Sequence, residues 1–167
     1  MARSLLVLGV DPGSVCTGWG VVERSGSRLA GLEAGAIRTC ANSEFHERLR
    51  DIYDGVSAVI ARHRPQAVAV EDIFFARSPQ AALKLGHARG VALLAAAKAE
   101  LSVHAYPPAL VKRAVAGKGR APKEQVARMV AAILGWRNLP SLDATDALAV
   151  AITHLNVAPL EAARRAT

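Results

Sequence analysis

The period of the apolar positions changes several times along the chain, and each change marks an element. Leu5 to Val10 is a continuous apolar run closed by Asp11-Pro12-Gly13-Ser14, the pattern of a strand covered on both faces and ended by a turn. Thr17 to Glu23 is rich in β-branched and aromatic residues, and its short connection to the first run predicts an antiparallel hairpin. A third strand over Arg28 to Arg38 follows the turn Ser25-Gly26-Ser27. From 43 to 64 the period becomes helical, with Phe45, Leu49, Ile52, Val56, Val59 and Ile60 on one face. Asn42 or Ser43 can cap this helix and Pro65 stops it. A helix in that place is a crossover, so the next apolar run, Ala67 to Glu71, is expected to lie parallel to the first strand.

Ile73 to Arg77 reads as a short loop before Ser78-Pro79, a cap followed by proline at the first helical position. The helix that follows reaches about Glu100 and carries Gly86 and Gly90 one turn apart. Two glycines weaken a helix, so their use is to let another backbone approach, and a second subunit is one candidate. Ser102 to Tyr106 makes a fifth strand, ended by Pro107-Pro108. Gly117-Lys118-Gly119-Arg120 is too glycine-rich for helix, whereas Pro122 can open one whose Val126, Met129, Val130, Ile133 and Leu134 face the core before Gly135 ends it. Ser141 caps a last helix over about 142 to 155. The expected organisation is one α/β domain over residues 1–157, a five-stranded mixed sheet flanked by helices, followed by a disordered basic tail over 158–167.

Composition narrows what such a domain can do. The chain has 167 residues, enough for a single core without disulfides. Its 21 Lys and Arg against 14 Asp and Glu leave a net charge of +7, which favours a polyanionic partner and above all nucleic acid. Cys16 and Cys40 lack metal-ligand spacing and read as two reduced thiols. The N-terminal apolar run is too short for a signal peptide, and no stretch approaches the ~20 apolar residues of a membrane span, so a cytoplasmic location is expected.

The candidate chemistry lies at element ends. Asp11 closes the first strand, Glu71 closes the fourth, and Asp143 and Asp146 share a face at the start of the last helix. Alone, each has a plain reading: a strand-ending acid is commonly a solvated turn residue, and an Asp at a helix start commonly caps it or meets its dipole. Two parallel strands ending in acids beside an i, i+3 Asp pair is a pattern that capping does not supply. Four carboxylates in one place make an all-oxygen site suited to Mg²⁺, with Mn²⁺ as a substitute, and not to zinc. Without cations two such charges ~4 Å apart repel by about 4 kcal/mol at an effective dielectric near 20. Two ions ~3.5–4 Å apart remove that repulsion and form the clamp used in phosphodiester hydrolysis. Lys112, Arg113, Lys118, Arg120, Lys123 and Arg128 form a basic segment with a single acid, Glu124. Its glycine-flexed centre at Lys118 and Arg120 suits a loop that follows phosphates, although a solvated face is the default for such residues. Phe74 and Phe75 sit directly after an acid-ending strand, where one can be buried and the other stack on an unpaired base.

Taken in order, Val10-Asp11-Pro12-Gly13-Ser14, Thr17-Gly18-Trp19-Gly20-Val21-Val22, Val70-Glu71-Asp72-Ile73-Phe74, Ala82 to Val91 and Asp143-Ala144-Thr145-Asp146-Ala147-Leu148-Ala149 resemble the RuvC family of Holliday-junction resolvases over nearly the whole chain. The resemblance implies an RNase H-like fold, a homodimer, Mg²⁺-dependent endonuclease activity and four-way junction DNA as substrate, cut symmetrically in opposed strands during recombination and repair. It implies catalytic, metal-holding roles for Asp11, Glu71, Asp143 and Asp146, a junction-centre role for Phe74, and functional lysines at Lys112 and Lys123. It also implies a branch-migration motor of the RuvA and RuvB type as partner. Asp72 stands where the family often has Gln or Asn, and Pro122 precedes the second lysine. Other readings differ in class: a related nuclease acting on structured RNA, a phosphate-binding domain of the sugar-kinase and actin-like type, or a junction-binding module without catalysis. The single domain argues against the second, and the full set of acids against the third.

Overall fold

A computed structural model describes residues 4–72 and 78–165, with side chains described as far as residue 158. Five strands, β1 (Leu5–Asp11), β2 (Cys16–Ser25), β3 (Arg28–Arg38), β4 (Ala67–Glu71) and β5 (Ser102–Tyr106), form one sheet in the order β3-β2-β1-β4-β5. β1 is central: β2 pairs with it antiparallel, β4 pairs with it parallel, and β5 extends the parallel half. The hairpin and the crossover expected from the sequence are both present.

Alternation along the central strands divides the core into two layers. Leu8 and Val10 of β1 and Val68 and Val70 of β4 face a cluster that includes Ile52 and Val56 of helix α1 (Phe45–His63) and Ala88, Ala92 and Ala96 of helix α2 (Pro79–Lys98). Val7, Ala67 and Ala69 face the opposite side. There they meet helices α3 (Pro108–Ala116), α4 (Lys123–Leu134) and α5 (Leu142–Arg165) through Val111, Val126, Val130, Leu148 and Ile152. α5 lies directly on the sheet because glycines stand beneath it. A Cβ on Gly9 would sit 1.9 Å from the Ala147 carbonyl oxygen, and one on Gly18 would sit 2.0 Å from that of Asp143.

Three local expectations change. The cap of α1 is Glu44, joined to Glu47 in a reciprocal capping box, so a carboxylate satisfies the helix start in place of Asn42 or Ser43. α3 was not foreseen: Pro107-Pro108 ends the fifth strand as expected, yet Pro108 also occupies a helix start, where its missing N–H is no loss. α5 does not end near 155 but continues to Arg165, so residues 158–165 of the expected disordered tail are helical; their Ala, Leu, Glu and Arg content favours that state.

Candidate active site

Asp11 and Glu71 are the last residues of adjacent parallel strands whose register aligns Val10 with Val70, so both carboxylates leave the sheet side by side. Across the hairpin Asp11 is paired with Gly18, the residue on which the first turn of α5 rests. Ser141 fixes that turn: its Oγ accepts from the Ala144 N–H at 3.2 Å, and its carbonyl accepts from the Thr145 N–H at 3.0 Å. Asp143 is thereby set over the strand end, with Asp146 one turn further along the same face.

The electrostatics reflect this crowding. The Asp11 carboxyl is pushed up to about 8, first by burial and then by the Glu71 and Asp146 charges, with a hydrogen bond to Glu71 in the same direction. Glu71 is also raised, by burial first and by Asp146, against the opposing influence of the Asp11 hydrogen bond, Lys123 and Lys112. Burial raises Asp146 too, and Lys123 partly offsets it. Among the described residues no three His, Cys, Asp or Glu side chains close on a single point. Asp146 Oδ2 faces Lys123 Nζ at 3.5 Å, and Asp143 Oδ2 accepts a hydrogen bond from Cys16 Sγ at 3.2 Å.

Lys112 and Lys123 come from the paired helices α3 and α4. Lys112 and Lys123 stand with Glu71 and Asp146 around a cavity of about 220 Å³ whose apolar wall includes Val111 and Val126. Lys118 and Arg120 are exposed in the turn joining these helices and do not line the cavity. Phe74 and Phe75 lie outside the described residues. Asp72, next to Glu71, pairs with Arg89 of α2 at 3.4 Å.

Sequence reading missed the supports of the site. The loop after Asp11 is strapped from two sides: the Thr39 N–H donates to the Val15 carbonyl at 3.0 Å, and Arg48 Nε donates to the Ser14 carbonyl at 3.1 Å. Cys16, read as an unremarkable thiol, touches Asp143 and is pushed up to about 11, by burial first and then by that hydrogen bond. Gly9 of β1 with Gly18 and Gly20 of β2, all on the α5 side, were the signal in the sequence of a close approach there.

The family of crossover junction endodeoxyribonuclease RuvC matches residues 7–154. A crossover junction endodeoxyribonuclease RuvC of Trichlorobacter lovleyi is 53% identical over 150 residues, which are 90% of this chain and 84% of that protein. One from Citrifermentans bemidjiense is 48% identical over 158 residues, 95% and 96% of the two chains. The solved structure of T. thermophilus RuvC in complex with a Holliday junction substrate superposes with a TM-score of 0.89 at 42% identity, covering 94% of this chain and 96% of that one. The five-stranded mixed sheet with its helices is thus the RNase H-like fold of these proteins. The chain belongs to the RuvC family of crossover junction endodeoxyribonucleases.

Proposed function

We propose that this protein resolves four-way DNA junctions, hydrolysing one phosphodiester in each of two opposed strands, with Asp11, Glu71, Asp143 and Asp146 as its catalytic carboxylates. The observation that carries this reading is that the Glu71, Asp146 and Asp143 charges all act on the Asp11 carboxyl at one sheet end, beside a cavity that Glu71 and Asp146 line together with Lys112 and Lys123. The donor set is all oxygen, and the Glu71, Asp146 and Asp143 charges add to burial in raising Asp11, a crowding that divalent cations of the Mg²⁺ or Mn²⁺ kind would relieve. Two such ions, when bound, supply activation of water and stabilisation of the departing oxygen. Asp11 and Glu71 would hold them from the strand ends, and Asp143 and Asp146 from the helix. Lys112 and Lys123 are suited to hold the phosphate flanking the cut, and the apolar wall of Val111 and Val126 to receive the adjoining sugar. Lys118 and Arg120 extend the positive surface outward along the strand. Phe74 is the proposed aromatic at the crossover.

Symmetric cutting requires two sites related by a twofold axis, and α2 offers the surface for a homodimer. Leu83 and Leu94 are 64% and 51% exposed, and a Cβ on Gly86 or Gly90 would meet nothing within 4 Å. With Leu49 and Val91 they line an apolar groove of about 500 Å³ that fits the same face of a second copy. Among the described residues no helix is long and apolar enough to cross a membrane. We further propose a cytoplasmic location and a branch-migration motor of the RuvA and RuvB type as partner.

Cleavage of a synthetic four-way junction with Mg²⁺, resolved on a sequencing gel, tests the reading. Paired nicks at symmetric positions are expected, lost in Asp11→Asn while junction binding remains. Preferential cutting of structured RNA, or undiminished nicking by Asp11→Asn, would overturn it.

A further inference from the structure

The acid that starts α5 is held from below by a strand that contributes no carboxylate. Cys16 opens β2, and its Sγ–H donates to Asp143 Oδ2 at 3.2 Å. Two residues on, Gly18 meets the Asp143 backbone, where an added Cβ would fall 2.0 Å from the carbonyl oxygen. Strand β2 therefore fixes both the main chain and the side chain of this residue.

The chain leading into Cys16 is tied down. Thr39 Oγ1 donates to the Ser14 carbonyl at 2.9 Å, its N–H takes the Val15 carbonyl, and Arg48 closes on Ser14 from α1. The thiol thus arrives at Asp143 from a rigid base, half-buried, with its sulfur aimed at one carboxylate oxygen. A thiol has one proton to give, so the contact engages Oδ2 and not Oδ1 of Asp143.

We infer that Cys16 is a positioning residue for Asp143, fixing its carboxylate rotamer so that Oδ1 is presented for divalent-cation binding. The inference rests on the reading of Asp143 as a metal-holding acid. Groups that bond the far side of a ligating carboxylate typically account for 10–100-fold in affinity or activity, and a thiol, as a weak donor, belongs at the lower end of that range.

The test compares Cys16→Val, which fills the space without a donor, with Cys16→Ser, which keeps one. Mn²⁺ binding to the DNA-free protein is titrated by loss of the free-ion electron paramagnetic resonance signal, and the half-saturating Mg²⁺ concentration is measured in junction nicking. Cys16→Val is expected to weaken Mn²⁺ binding and raise the Mg²⁺ requirement by about 10-fold, with nicking recovered at high Mg²⁺. Cys16→Ser is expected to stay within about twofold of wild type, and Cys16→Val should have no further effect in an Asp143→Asn background. Wild-type Mn²⁺ affinity in Cys16→Val, or equal losses in both variants, would overturn the positioning role. Undiminished Mn²⁺ binding by Asp143→Asn would instead overturn the metal-holding reading on which it stands. Melting temperatures keep misfolding apart from loss of the metal site.

Discussion

Gly18→Ala is the most direct perturbation of the geometry that assembles the acids. The residue is paired with Asp11 on one side and Ala36 on the other, so the sheet does not yield around it. The new methyl would lie 2.0 Å from the Asp143 carbonyl oxygen, 2.3 Å from its carbonyl carbon and 3.0 Å from the Ala144 nitrogen. All three are backbone atoms, so no rotamer change relieves the clash. Reaching an ordinary contact of 3.4 Å requires the first turn of α5 to retreat by 3.4 minus 2.0, about 1.4 Å. Overpacking of this kind costs about 1–3 kcal/mol, and at ~2–4 °C per kcal/mol the melting temperature falls by roughly 2–12 °C. The functional loss should be larger. Misplacing a reacting group by ~1 Å can cost on the order of 100-fold, and here Asp143 and Asp146 move together relative to Asp11 and Glu71. Single-turnover nicking of a junction at saturating enzyme should therefore drop about 100-fold with little change in junction affinity. Ile152→Val on the buried face of α5 is the control: it costs ~0.5–1.5 kcal/mol yet leaves the helix start in place, so nicking persists. Nicking by folded Gly18→Ala within twofold of wild type would refute the argument that the glycine sets the position of the acids.

Two further outcomes follow from features away from the acids. His154 is buried, shares a 2.7 Å hydrogen bond with the Tyr106 hydroxyl, and is held down at about 4 by burial and by the neighbouring His104. Its folded value lies below the ordinary 6.5, so its contribution to stability is complete above about 6.5 and is lost as pH falls toward about 4. Urea midpoints across that window should fall with pH in wild type and be flatter in His154→Gln; parallel curves would show that other groups govern the acid limb. Gly86→Leu adds a side chain where the monomer has open space, so the monomer should gain helix propensity while sedimentation shows less dimer. An unaltered dimer would put the interface elsewhere.

How much was legible in the sequence varies with the range of the interaction involved. Apolar runs and their punctuation gave all five strands within a residue or two: burial on both faces leaves continuous apolar runs in β1 and β4, and turn residues bound the more exposed β3 and β5. The antiparallel and parallel neighbours of β1 followed from connection length alone. Ser78 and Ser141 were readable as caps because capping is local chemistry, whereas Glu44 was not, since a carboxylate before a helix has several ordinary uses. α3 escaped notice because its two prolines mimic a strand exit, and with it went the reason that Lys112 and Lys123 share one cavity.

The chain order by itself determined which residues could do chemistry: Asp11 and Glu71 are strand ends, and Asp143 and Asp146 are one helical turn apart, whatever else the fold does. Only the tertiary structure decided that they come to one end of the sheet. That placement depends on α5 lying against Gly9 and Gly18, a contact between segments more than a hundred residues apart in which the informative feature is a missing Cβ. It also decided that Cys16, without any motif to mark it, touches Asp143. Periodicity and propensity record how a residue sits within its own element. Which carboxylate is crowded, which is paired with a lysine and which is held by a thiol depends on distances across elements, and those exist only once the core has closed.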